Sequence, residues 1–212
     1  MNTEKVLAAV TSVGDPWKNH PYYEEVEKYM ESLWSSCIWP HIQKCDFTAV
    51  MDLAAGHGRN SVPLSQHAGR ITIVDIHGEN VEFCRNRFAG DTRFTFIQND
   101  GLTLKEIPTG SLSLAYCFDA MVHFDSDVVR SYLAEIARVL QPGGHGFIHH
   151  SNYTGNPTGT YQDNPGWRNF MSKELFAHYC AKEGLVVLEQ EVMDWSAPKS
   201  DCVTLFQKHA NG

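Results

Sequence analysis

The sequence has no C-x-x-C pair, no apolar stretch near the roughly 20 residues that span a bilayer, and no excess of basic residues. Its six cysteines (Cys37, Cys45, Cys84, Cys117, Cys180 and Cys202) are scattered, which argues against a zinc ribbon and a disulfide framework. Several lie in apolar runs, where a thiol serves as a small hydrophobe. With 17 Lys+Arg against 25 Asp+Glu the formal charge is −8, so neither nucleic acid nor an anionic membrane is an expected partner. Residues 1–11 carry Glu4 and Lys5 and lack the long apolar core of a secretory leader; the cytoplasm is the expected compartment. Repeats, low-complexity tracts and interdomain linkers are missing as well. Of the 212 residues, 42% are apolar or aromatic, enough for the core of one domain covering residues 1–212.

From residue 49 onward two kinds of segment alternate. β-rich runs occupy 49–54, 70–75, 93–98, 111–118 and 144–150, and helix-compatible stretches occupy 60–67, 79–88, 102–107 and 127–140. The last is the clearest helix: Val128, Val129, Tyr132, Leu133, Ile136, Val139 and Leu140 recur at three- and four-residue steps, and Pro142-Gly143-Gly144 ends it. Alternation of this kind predicts a parallel sheet with helices on both faces. After a helix at 173–183, two runs at 185–192 and 202–207 are separated too closely for a helical crossover, so they should pair antiparallel. Residues 1–45 precede the alternation. Within them, Tyr22, Val26, Tyr29 and Leu33 predict an amphipathic helix over 21–34 with Pro21 in its first turn. Residues 152–167, rich in glycine, proline and aromatics, predict a long irregular loop, typical of lids and binding loops.

The most informative stretch is Asp52-Leu-Ala54-Ala-Gly56-His-Gly58, a strand running straight into a small-residue turn with a helix pattern after it. Glycines there let backbone approach a ligand closely, and a helix N-terminus adds free N–H donors. Asp75 ends the second run, where an acid can accept hydrogen bonds from both ribose hydroxyls. A dinucleotide fingerprint would want glycine or alanine where Ser61 stands. The stretch resembles instead the first motif of the class I S-adenosylmethionine-dependent methyltransferases, with Ala54 in place of the first glycine; alanine there implies a backbone that need not take φ > 0. The resemblance covers nearly the whole chain. It implies that Asp52, Ala54, Gly56 and Gly58 cradle the cofactor, that Asp75 binds ribose, and that Ile76 packs on adenine. Asp100 with Gly101 resembles the adenine-edge motif, Phe118 falls on the wall around the transferred methyl, and residues 139–144 resemble the turn into the fifth strand. The implied fold is α/β: a doubly wound, mostly parallel seven-stranded sheet with an antiparallel C-terminal strand pair. The implied cofactor is S-adenosylmethionine, released as S-adenosylhomocysteine.

Methyl transfer to a hydroxyl needs a base as well as proximity. Three histidines sit at strand ends: His123 after the fourth run, and His149 and His150 ending the fifth. Neighbours on a strand point oppositely, so one of the last two should face the cleft, and His150, beside the turn Ser151-Asn152-Tyr153, is favoured. A structural or helix-capping role is the competing account for each. A magnesium-assisted variant would want Asp119, Asp125 and Asn152 to converge, which nothing in their spacing requires; no metal is expected. Trp17, His20, Tyr22, Tyr23 and Trp34 can close over the cleft with Tyr153, Tyr161 and Trp167 of a substrate loop at 151–170, or build the interface between the N-terminal cap and the sheet. Arg168 can pair with a substrate anion or lie on the surface. The function these features imply is methylation of a small molecule, at oxygen, by a monomer or homodimer. The alternatives are transfer to nitrogen or carbon of a heterocycle, a nicotinamide-dependent oxidoreductase, and a non-catalytic nucleoside-binding module.

Overall fold

The computed structural model describes residues 3–18 and 20–210. An N-terminal cap comes first: helix α1 (Thr3–Gly14), α2 (Tyr22–Glu27), α3 (Met30–Leu33), a π-helical turn (Trp34–Ile38) and α4 (Trp39–Ile42). The sheet and its helices follow as β1 (Val50–Leu53), α5 (Ser61–Ser65), β2 (Ile71–Asp75), α6 (Gly78–Arg87), β3 (Phe94–Gln98), β4 (Leu112–Cys117), α7 (Ser126–Val139), β5 (Leu140–Ser151), α8 (Lys173–Lys182), β6 (Leu185–Met193) and β7 (Asp201–Lys208). The seven strands form one sheet in the order β3-β2-β1-β4-β5-β7-β6. The pairs among β1 to β5 are parallel, while β7 is antiparallel to both β5 and β6.

Strand alternation divides the core into two layers. Met51, Leu53, Ala115, Cys117 and Ile148 face one side, where they meet Val6 and Val10 of α1, the buried stripe of α7, and Phe176 and Cys180 of α8. Val50, Leu114, Tyr116 and Phe147 face the other and meet Met30, Ile38, Ile42, Leu64 and Cys84. The α7 stripe (Val128, Val129, Tyr132, Leu133, Ile136, Ala137, Val139) is buried as its periodicity requires, and Asp125 caps the helix by accepting from Asp127 N at 2.8 Å. Each fully buried aliphatic side chain contributes about 1.5–3 kcal/mol. All six cysteines are free.

Two local expectations are corrected. Residues 102–107 form no helix: the Asp100 carboxylate accepts from Leu102 N at 2.9 Å and Thr103 N at 2.7 Å and bends the chain into a turn, while Leu104 and Ile107 still reach the core. The helix over 21–34 is broken after Lys28, so that Met30 turns inward and Tyr29 is left exposed. Beyond it the chain bulges into the π turn just before Pro40, whose missing N–H cannot continue an α-helical ladder. Helix α1 was not anticipated, although Val6, Val10 and Val13, all buried, are spaced for it.

The cap is fastened to the sheet by polar contacts as well. His41 of α4 holds Nδ1 at 3.2 Å from Glu189 and Nε2 at 3.3 Å from Glu191, both on the edge strand β6. Arg87 of α6 pairs with Glu27 of α2. Among the described residues no helix is long and apolar enough to cross a membrane.

Candidate active site at the strand ends

A cavity lies at the carboxyl ends of β1, β2 and β4, between the sheet and the N-terminal cap. Chain leaving three adjacent parallel strands creates such a crevice, because the following loops diverge. Its floor is the turn after β1. Ala54 (φ 55°), Gly56 (φ 55°) and Gly58 (φ 75°) all adopt left-handed backbone there. The expectation that Ala54 avoids positive φ is therefore corrected: leaving β1 toward α5 demands that geometry, and the methyl group bears a cost of about 1–2 kcal/mol. At Gly56 the requirement is also spatial, since a Cβ would lie 2.5 Å from the Tyr23 ring.

Asp52 is buried beneath this floor, and Asp75, also buried, borders the cavity. Burial pushes the Asp52 carboxyl up to about 7, against the opposing effect of the Ser61 hydroxyl, which donates to it at 2.6 Å. Asp75 is raised by burial too, and the N–H groups that bind it oppose the rise. Its Oδ2 accepts from Gly56 N at 2.8 Å, and its Oδ1 accepts from His77 N at 2.9 Å and Asn80 Nδ2 at 3.1 Å. A carboxylate offers about four acceptor sites, so Oδ2 retains one. Beside it, Asn80 Oδ1 is buried without a partner among the described residues.

Of the expected cofactor residues, Ala54, Gly56, Asp75, Ile76, Gly101 and Phe118 line the cavity. Asp52 and Gly58 lie behind it, Gly58 packed against Phe88 and Cys84. Asp100 is not in the wall: its oxygens accept from Leu102 N, Thr103 N and the Thr103 hydroxyl, and Asn99 lines the cavity in its place.

The three histidines part company. His149 and His150 point to opposite faces of β5, and neither lines the cavity, so His150 does not face the cleft as expected. His150 stacks on Phe176 with ring centroids 3.8 Å apart and binds Ser151 O and the Thr204 hydroxyl, each at 2.8 Å. Burial lowers its pKa to about 3. His149 accepts from Asp119 N through Nδ1 at 3.2 Å, which requires that Nε2 carry the proton it donates to Asp201 at 2.9 Å. His123 does line the cavity. Its Nδ1 donates to Trp167 O at 2.8 Å, leaving on Nε2 a lone pair with no hydrogen-bond partner among the described residues. Burial lowers its pKa to about 4.

Trp17 and Tyr22, from the cap, complete the wall. Trp17 packs on His123 (4.9 Å between centroids) and edge-on to Trp167 (5.7 Å), and the Tyr161 hydroxyl donates to Ser12 O at 3.1 Å, so the cap and the loop over 152–167 meet above the cleft. Tyr153, Trp167 and Arg168 are outside the cavity. Arg168 is buried and pairs with Asp201 through Nε at 2.9 Å and Nη2 at 2.6 Å, so its expected substrate role gives way to a structural ion pair. Asp119 and Asp125 line the cavity, whereas Asn152 binds Lys199 O and Lys173 N elsewhere. The pairing of Arg59 with Asp119 was missed, whereas Tyr23, expected among the aromatics closing over the cleft, lies against Gly56 and lines the cavity. Arg59 directly follows the glycine turn, which was the available signal.

Comparison with known proteins agrees with this architecture. Residues 50–144 match a family model described as a methyltransferase domain. A methyltransferase of Aspergillus novofumigatus, nsrG, is 30% identical over 97 residues, 46% of this chain and 36% of the relative. A demethylmenaquinone methyltransferase of Clavibacter sepedonicus is 35% identical over 99 residues, 45% of this chain and 38% of the relative. The chain thus matches well under half the length of these curated relatives. Among solved structures, geranyl diphosphate C-methyltransferase from Streptomyces coelicolor, bound to Mg2+, geranyl diphosphate and S-adenosylhomocysteine, superposes with a TM-score of 0.74. It is 13% identical and covers 94% of this chain and 98% of its own, a likeness of fold. Domain match, relatives and strand order concur: residues 50–144 match a methyltransferase domain, and the seven-stranded fold is that of the Rossmann-like methyltransferases.

Proposed function

We propose that the chain is an S-adenosylmethionine-dependent methyltransferase acting at oxygen on a small molecule, with His123 as the general base. The carrying observation is the convergence of Gly56, Asp75, Ile76, Gly101 and Phe118 on one cavity that His123 also lines. The residues present fit the cofactor. Asp75 Oδ2 has an acceptor site left for a ribose hydroxyl, while Ile76 and Phe118 offer apolar wall. When bound, S-adenosylmethionine supplies a methyl group on positively charged sulfur, electrophilic enough that the protein need only present a nucleophile.

His123 meets the remaining need. Its tautomer is set by the carbonyl of Trp167, so Nε2 can take the acceptor's hydroxyl proton. With its pKa lowered to about 4 it is neutral throughout the physiological range, so its Nε2 lone pair is not taken up by a proton. Trp17, Tyr22, Phe118 and Phe124 enclose the acceptor in apolar, aromatic surroundings that exclude water from the transfer. The cap over 1–45 and the loop over 151–170 serve as the recognition parts of a single domain.

The test is transfer of labelled methyl from S-adenosylmethionine to a panel of hydroxylated aromatic and aliphatic compounds, by the wild type and by His123→Asn. Wild-type methyl ether formation that drops by about 100-fold or more in the variant supports the reading. Products methylated at carbon or nitrogen, with full activity in the variant, would replace it. Cofactor binding without transfer to any compound would favour a non-catalytic binding module.

A further inference from the structure

The carbonyl that fixes the proton of His123 sits in a strained turn. Gly166 (φ 55°) and Trp167 (φ 56°) are consecutive left-handed residues. A bulky side chain is costly in that conformation, which persists only where the surroundings impose it. Here a buried cation grips the turn. Arg168 donates from Nη1 to Gly166 O at 2.7 Å, while its Nε at 2.9 Å and Nη2 at 2.6 Å hold Asp201 at the start of β7. The Arg168 side chain is 4% exposed and that of Asp201 0%, and neither residue lines the cavity. Asp201 also accepts from His149 Nε2 at 2.9 Å and from the Ser200 hydroxyl at 2.7 Å, so the grip is anchored in the sheet.

A line of contacts therefore runs from β7 to the cavity: Asp201 to Arg168, Arg168 to the turn, and Trp167 O to His123 Nδ1 at 2.8 Å. The planar guanidinium suits the task, because Nε and Nη2 take the carboxylate from one edge and leave Nη1 for the carbonyl. The His123 backbone is held separately, by Asn169 Nδ2 on its carbonyl at 3.1 Å, so the clamp on the turn governs the ring and not the chain. A carbonyl only accepts; while Trp167 O stays in place, Nδ1 carries the proton and Nε2 the lone pair. Were it to swing away, either nitrogen could carry the proton, and the form protonated on Nε2 cannot take another there from an acceptor. We propose that Arg168 and Asp201 are positioning residues for His123, clamping the Gly166–Trp167 turn so that its carbonyl keeps the ring proton on Nδ1. The consequence for transfer rests on His123 being the base; the effect on the ring does not.

NMR of isotope-labelled histidine ring nitrogens reads the tautomer directly, with the His123 signals assigned by their loss in His123→Asn. The wild type is compared with Arg168→Lys and Gly166→Ala, and thermal melts confirm folding. Arg168→Lys keeps a cation beside Asp201 but cannot reach the carboxylate and Gly166 O together. Gly166→Ala leaves the buried pair intact and disturbs the exposed turn, where a Cβ would meet the Ser196 hydroxyl on left-handed backbone; if Arg168→Lys fails to fold, this variant alone decides. The clamp predicts a wild-type His123 protonated on Nδ1 and bare on Nε2, and a mixture of the two tautomers in each variant. It also predicts that kcat for methyl transfer falls about tenfold or more while KM for cofactor and acceptor stays within about threefold. A merely structural role would lower the melting temperature and leave the tautomer and kcat of the folded variants unchanged. That result would overturn the proposal, as would a wild-type His123 protonated on Nε2. If the wild type transfers no methyl group, or His123→Asn transfers at the full rate, the base reading fails, and the tautomer shift by itself decides the clamp.

Discussion

The phenol of Tyr22 donates to Asp119 Oδ2 at 2.6 Å, joining residues 97 positions apart and closing the N-terminal cap against the end of β4. Burial raises the Tyr22 pKa well above its usual value, with the Asp119 charge adding to the rise, so the hydroxyl keeps its proton at any working pH. Because Asp119 also holds Arg59 at 2.9 Å, this latch connects the cap to the turn that forms the cavity floor.

Removing the latch should loosen the cap without disturbing the floor. A hydrogen bond to a charged group contributes about 1.5–3 kcal/mol, so Tyr22→Phe is expected to release S-adenosylhomocysteine at least tenfold faster in stopped-flow displacement. An unchanged release rate would mean that the cap does not gate the cavity.

Ala54 carries strain that glycine would relieve. Relief of its left-handed conformation, about 1–2 kcal/mol, outweighs the roughly 0.4–1 kcal/mol by which glycine's added freedom stabilises the unfolded chain. Ala54→Gly is therefore expected to raise stability by up to about 1 kcal/mol in urea titration and to leave cofactor affinity unchanged. A clear loss of stability would show that the alanine methyl makes a packing contribution larger than its strain.

The buried Arg168–Asp201 pair is a structural joint. Burial alone would raise the Asp201 carboxyl, but His149 and Arg168 hold it well below the usual carboxylate range. Removing one member of a buried pair costs about 3–5 kcal/mol, so Arg168→Met should lower the urea midpoint by that equivalent. If Arg168 served substrate instead, the variant would keep its stability and lose only acceptor affinity.

The pH dependence of transfer distinguishes His123 from an ordinary imidazole. With its pKa lowered to about 4, His123 stays unprotonated as pH falls through 6.5 and takes a proton only near 4. Transfer by the free enzyme is expected to hold level down to about pH 5 and to decline below it. Should kcat/KM fall with a midpoint near 6.5, the base is a solvated group elsewhere.

The sheet was legible because its signal is local. Each strand is an apolar run bounded by turn residues, and the strand limits found agree with those read from the sequence within a few residues. The turn at Gly56 and the acid at Asp75 were legible for the same reason: backbone geometry and strand-end position follow from short stretches. The closing elements were not. Whether Tyr22 latches on Asp119, or Arg168 seeks Asp201 rather than a ligand, depends on pairings across 97 and 33 positions that no periodicity encodes. His150 was misplaced because alternation says that two neighbours diverge, not which side is hollow. On that face of β5 α8 brings Phe176 against the ring and fills the space. Asp100 looked like a ligand contact because Asp-Gly turns and binding loops share a composition, and its own backbone satisfies it here.

The cavity beside Asp75 is proposed to bind the adenosyl cofactor. This is tested most directly by calorimetric titration of the purified chain with S-adenosylmethionine and S-adenosylhomocysteine beside Asp75→Ala, with thermal melts to confirm folding. Binding near micromolar is expected in the wild type, with at least a tenfold loss in the variant. Equal affinity in the two proteins, or no binding to folded wild type with or without acceptor, would contradict it.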